Sequence, residues 1–220
     1  MEEFQYVDLP EMLTLSEAVE ILADMEEEHR RLYDQATVKV QDPIHPIEHI
    51  VATVLRRSIA NMRGFLLLID SGNEFAAMPL IRMQLDSVLR ISAFRLVDDA
   101  YDLANHMIEG KKFDKYKNPN SKVELHDRAL REPLEAKYEY INNLYEETSG
   151  YVHLSRDHMV RVLKGWDNPN RGDDDRLEFA AVDDLPLWRE KDKRQAMLFF
   201  CVATRFLLDE AKEVLSAPRF

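Results

Sequence analysis

Apolar side chains recur three and four residues apart through Ile47, Ile50, Val51, Val54, Leu55, Ile59, Met62 and Leu66. That spacing winds onto one face of an α-helix, where a strand would throw every second residue to the other side. The period returns in Met78, Ile81, Leu85, Val88, Leu89, Ser92 and Leu96. It appears again in Leu134, Tyr138, Ile141, Leu144, Tyr145, Thr148 and Val152. Three such stripes, each needing a partner face, predict a mainly α fold: a multi-helix bundle.

Local signals set the expected boundaries. Thr14 followed by Glu17 forms a capping box that opens a helix over about Leu15–Val38, and "QDPIHP" breaks the chain after it. The second stripe-bearing helix starts near Asn73 and holds Pro79 in or near its first turns. "DDAYDLANHMIEG" reads as a short helix closed by Gly110, and another short helix is expected around Val123–Arg131. Pro133 opens the next long helix, which carries "TSGYVH" on its last turns. The pattern then changes. "HMVRVLKGW" and "RLEFAAV", on either side of "DNPNRGDDD", are short β-prone runs that predict a small hairpin between about Met159 and Val182. A last helix follows from about Leu187 to Leu215, apolar on almost every face between Ala196 and Leu208 apart from Thr204 and Arg205. Such a helix belongs at the centre of a bundle or in a subunit interface, and a homodimer is expected. The whole is read as one helical domain, 1–220, with an N-terminal helix and linker (1–42), a helical core (43–156), a hairpin insertion (157–184) and a C-terminal helix (185–220).

Composition excludes some functions. The formal charge of −12 repels phosphate backbones and argues against broad non-specific nucleic-acid binding. The five lysines of residues 110–122, beside Phe113 and Tyr116, are first a solvated loop and only second a nucleic-acid contact. The single cysteine, Cys201, lies in an apolar run, which fits a reducing cytosol. No apolar stretch has the length of a membrane span, so no membrane partner is expected. "HPIEH", His45 to His49, has the spacing of an inverted zinc-protease motif, but Pro46 makes His45 a flank of the helix rather than a ligand inside it. "EEEH", Glu26 to His29, is one E-x-x-H without the second copy a di-iron bundle needs. No P-loop, dinucleotide fingerprint or G-x-S-x-G occurs, and no cofactor or metal is expected.

Two places carry chemistry. Arg82 lies between Met78, Leu85 and Leu89 at helical spacing, so its guanidinium projects at the edge of an apolar stripe and requires acceptors. Asp86, four residues on, is the nearest; a carboxylate from another helix, or a ligand, is the alternative. In "TSGYVHLSRDH", Ser149 and His153 share a helix face with Tyr145 one turn earlier. His153 titrates near neutrality and is a candidate general acid–base, or else a structural histidine at a helix end. Tyr151, Ser155 and His158 complete the set of candidate binding residues.

"PLIRMQLDSVLR", followed by "LYEETSGYVHLS", resembles HEPN-like helical proteins of prokaryotic toxin–antitoxin and phage-defence systems, in an uncharacterised subgroup. In that subgroup an arginine-bearing helix precedes a Tyr-x-x-x-Ser-x-x-Val-His type segment, and the similarity covers roughly residues 45–160. The resemblance implies a helical fold, homodimers, and Arg82, Ser149 and His153 as the positions that matter. It also implies a metal-independent ribonuclease, with His153 as acid–base and Arg82 stabilising phosphate charge. The chain departs from the catalytic pattern: no histidine follows an arginine by four to six intervening residues. Two readings follow. One is an RNA- or nucleotide-directed protein; the other is a non-catalytic homo-oligomeric module that recruits a protein partner.

Overall fold

The computed structural model describes residues 13–37, 45–118, 125–152 and 190–217, together with the backbone of 163–164 and 178–179. Among the described residues the chain is mainly helical. The helices are α1 (Leu15–Thr37), α2 (Pro46–Asp70), α3 (Glu74–Ser92), α4 (Ala100–Ile108), α5 (Asp127–Glu135), α6 (Ile141–Val152) and α7 (Glu190–Ser216). Leu163–Lys164 pairs antiparallel with Glu178–Phe179, Leu163 opposite Phe179. The rest of the segment expected to form a hairpin, Met159–Val182, lies outside the described residues.

The helix ends follow from their own residues. At the start of α1 the Thr14 backbone N–H donates to Glu17 Oε2 at 2.8 Å and the Glu17 N–H donates to Thr14 Oγ1 at 3.2 Å, a reciprocal capping box. Pro46 takes the first position of α2, where its missing N–H costs nothing, with His45 extended before it. Between α2 and α3 the chain reverses through Gly72 at φ 71°, a backbone conformation that side chains disfavour. Asn73 then caps α3, its Oδ1 accepting from the Ala76 N–H at 3.2 Å.

Helix α3 is the hub, packing against α7, α2, α6 and α5, while α1 lies across α2 and α7. Its stripe is buried as the spacing requires: Met78, Ile81, Leu85, Val88, Leu89 and Ser92 are all inside. Leu22, Leu55, Phe65 and Phe200 join them, with the Phe65 and Phe200 rings stacked at 4.3 Å. Each such side chain contributes roughly 1.5–3 kcal/mol by leaving water.

The packing decides between the two places expected for α7 and corrects two further expectations. First, the apolar face of α7 is covered within the chain: Ala196, Met197, Phe200, Ala203, Leu207, Leu208 and Ala211 are buried against α1, α2 and α3. The helix therefore supplies no argument for a second copy. Second, Pro133 does not open a long helix; it lies inside α5, and residues 136–140 separate α5 from α6. The break has a tertiary cause. The N–H groups of Lys137 and Tyr138 both turn to the Leu134 carbonyl, at 3.0 and 2.8 Å. Lys137 Nζ and the Tyr138 hydroxyl then reach Glu210 Oε1 on α7, each at 2.9 Å. Glu210 is fully buried and also accepts from Arg95 Nε at 3.0 Å, so pulling this turn inward satisfies a buried charge. Third, Val152, expected at the end of the α6 stripe, is 49% exposed.

Candidate functional site

The residues that sequence reasoning singled out converge in part, around one arginine. Arg82 rises from the middle of α3 and is only 9% exposed. Its Nη1 donates to Asp86 Oδ1 at 2.8 Å, one helical turn on. Its Nη2 donates to Asp127 Oδ2 at 3.1 Å, and Asp127 is the first residue of α5. The guanidinium lies 3.6 Å from the centre of the Tyr145 ring of α6, and Arg131 of α5 lies 3.9 Å from the same ring. A cation over an aromatic face gains electrostatically from the ring quadrupole, more so out of water.

Asp127 is the counterweight. The Tyr145 hydroxyl donates to its Oδ2 at 2.5 Å and Arg90 Nη1 donates to its Oδ1 at 3.2 Å. A carboxylate in the first turn of a helix also meets the positive end of the helix dipole. Burial alone would raise the Asp127 carboxyl, but the Tyr145 hydroxyl and the Arg90 and Arg82 cations outweigh it and hold it below the ordinary carboxylate value. Burial, followed by the bond to Asp127, pushes the Tyr145 phenol up to about 12, so it remains a donor at any physiological pH. Arg90 finishes the cluster by covering the Phe113 ring at 4.5 Å.

The remaining expected site residues are placed differently. Ser149 Oγ donates to the Tyr145 carbonyl at 2.7 Å and so closes on its own helix. The Tyr151 hydroxyl donates to Glu74 Oε1 at 3.2 Å, tying the end of α6 to the start of α3. His153, Ser155 and His158 lie outside the described residues. The structure thus joins Arg82, Asp86 and Tyr145 and adds Asp127, Arg90 and Arg131, which sequence reasoning missed. A signal for Arg90 was present: Arg82, Asp86 and Arg90 are spaced four apart and share one face of α3. No comparable signal pointed to Asp127.

The cluster carries charge in near balance, three guanidiniums against two carboxylates. Its bonds run from α3 and α6 to Asp127 of α5, so it has the character of a fastening between the three helices. Elsewhere the possible ligand sets do not assemble. Among the described residues no group of three or more His, Cys, Asp or Glu side chains is placed to hold a metal ion. His45 precedes α2 with its ring edge-on to Tyr101 at 5.0 Å, whereas His49 is exposed on the helix. His29 is fully buried and engaged at both ring nitrogens. Lys111 pairs with Glu109, and Lys115 Nζ lies 3.3 Å from Asp114, so acidic neighbours offset the charge of that lysine segment. No helix among the described residues is long and apolar enough to cross a membrane. Comparisons with family models, curated proteins and solved structures give no match to the chain.

Proposed function

We propose that the chain is a non-catalytic, HEPN-like interaction module of prokaryotic defence or toxin–antitoxin type, which self-associates and recruits a protein partner. The observation that supports this over an RNA-directed activity is the engagement of Arg82. A phosphate-stabilising arginine must offer its donors to the ligand. Here Asp86 and Asp127 each take one N–H, from Nη1 and Nη2, Tyr145 covers the planar face, and the residue is only 9% exposed. The net charge of −12 adds an unfavourable long-range field for RNA. The missing Arg-x4-6-His pattern weighs the same way. The proposal includes a reducing cytosol as the compartment, on the strength of the buried, unpaired Cys201, and a hairpin insertion over about Met159–Val182, on the strength of its short β-prone runs.

The test is an RNA-cleavage assay on the full chain, with folding of each variant checked by circular dichroism and mass measured by light scattering. Wild type and Arg82→Ala are both expected to leave a structured and a single-stranded RNA intact, and wild type to run at twice the chain mass. Metal-independent cleavage by wild type that a folded Arg82→Ala lacks would overturn the reading in favour of a ribonuclease. A monomer at tens of micromolar would remove the self-association.

A further inference from the structure

A chain of polar groups runs through the apolar centre of the bundle. His29 on α1, Ser58 on α2, Gln84 on α3 and Thr204 on α7 are each 0% exposed, and Asn61 is 7% exposed. His29 Nδ1 lies 2.6 Å from the Met25 carbonyl, which can only accept, so Nδ1 carries a proton. In the neutral ring Nε2 is then an acceptor, and Ser58, 2.7 Å away, donates to it. Ser58 Oγ accepts in turn from Gln84 Nε2 at 2.7 Å. The same amide nitrogen donates to Thr204 Oγ1 at 3.1 Å, and Gln84 Oε1 accepts from Asn61 Nδ2 at 3.2 Å. One consistent direction of donation therefore links four helices, provided His29 is neutral.

We propose that His29 makes the seating of α1 on the α2–α3–α7 core pH-dependent, proton uptake by its ring reversing the bond to Ser58 and loosening α1. A protonated ring points a second N–H at Ser58 Oγ, which already receives the Gln84 amide. The hydroxyl hydrogen must leave the ring, and a cation then stands fully removed from water.

The charges around His29 do not rescue that cation. On its own helix Glu26 is held by Arg30 and by Arg63 of α2, both at 2.6 Å. Glu28 is held by Arg205 of α7 at 2.8 Å and by Lys212. The α3 partner, Gln84, and the α7 partner, Thr204, are uncharged. Burial, the largest influence, lowers the basicity of His29. The Met25 carbonyl, Glu28 and Glu26 raise it by less, and Arg205 lowers it further, leaving it below the ordinary 6.5. The sign follows. Above 6.5 the ring is neutral folded and unfolded alike; below it the loosened state takes up a proton that the seated state refuses. Helix α1 responds first because it rests chiefly on α2 and α7, whereas α3 is held from four sides.

Two measurements on the full chain test this. The ring Cε1–H resonance of His29, assigned by its loss in His29→Gln, is followed by NMR from pH 7.5 to 5. Amide exchange is followed over the same range and corrected for its intrinsic pH dependence. The His29 midpoint is expected below 6.5, and the opening constant of α1 amides is expected to rise by up to about tenfold per pH unit, the limit for one proton. Amides of α3 should change less. A His29 midpoint at or above 6.5, or α1 protection unchanged between pH 6.5 and 5, overturns the proposal. The amide-exchange reading is made on wild type and does not depend on His29→Gln being stable.

Discussion

Replacing Arg82 by alanine separates a fastening from a ligand-binding arginine. The side chain makes two charge-assisted hydrogen bonds, to Asp86 and Asp127, and one close ring contact with Tyr145. A hydrogen bond to a charged group contributes about 1.5–3 kcal/mol. The carboxylates are 35% and 31% exposed and can recover water, which discounts each bond to about 1 kcal/mol. A partly desolvated cation–ring contact adds about 1 kcal/mol. The apolar stem of Arg82 is lost as well. The expected cost is about 3 kcal/mol, or roughly 6–12 °C in Tm at about 2–4 °C per kcal/mol for a chain of this size. Urea denaturation should show a lower midpoint with an unchanged slope, since the surface exposed on unfolding hardly alters. Arg82→Lys should recover little, because an ammonium cannot fork between two carboxylates and lie flat on a ring. A double-mutant cycle with Asp127→Ala should give a coupling of about 1–2 kcal/mol. Arg82→Ala within about 0.5 kcal/mol of wild type would refute the structural role, since so small a change is that of an ordinary surface substitution.

Glu210→Gln should be equally severe for a different reason. It leaves Arg95, Lys137 and Tyr138 facing a neutral amide in a fully buried position, at a cost of about 3 kcal/mol by chemical denaturation. The folded-state value of Asp127 is depressed below the ordinary 3.8, so its contribution is complete above about pH 4 and lost as pH falls through the folded value. Asp127→Asn should therefore be less stable at pH 7 and show a shallower loss of stability as pH falls below about 4. Burial pushes the Cys201 thiol up to about 12, so a thiol reagent at about pH 8 should label it at the rate of unfolding rather than at the rate of an open thiol.

Much of the helical core was legible because it depends on neighbours in sequence. The Thr14–Glu17 box, Pro46, Asn73 and Gly110 mark ends by chemistry within four residues, and most of the α2 and α3 stripes is buried, with Ile47, Ile59, Leu66 and Leu96 partly so. Asp86 was readable as a partner of Arg82 for the same reason. What escaped was tertiary. The break at residues 136–140 exists because Lys137 and Tyr138 turn toward Glu210, over seventy residues away in the chain. Asp127 lies 45 residues from Arg82 and nothing in its surroundings marks it as the acceptor. The all-round apolar character of α7 shows that the helix is covered, but spacing is blind to whether the covering helices belong to the same chain. His29 stands in the sequence as a single E-x-x-H without the second copy an iron site needs; its actual partners, Ser58 and the Met25 carbonyl, lie on another helix and on the backbone.

The central claim is that Arg82 works inside the protein and is not offered to a nucleic acid. A fluorescence-anisotropy titration of labelled single-stranded RNA with the full chain, at low and at near-physiological salt, tests it most directly. The account predicts no saturable binding up to tens of micromolar protein at either salt, with Arg82→Ala indistinguishable from wild type apart from its lower stability. Saturable binding by wild type that weakens with salt and disappears in a folded Arg82→Ala would contradict it.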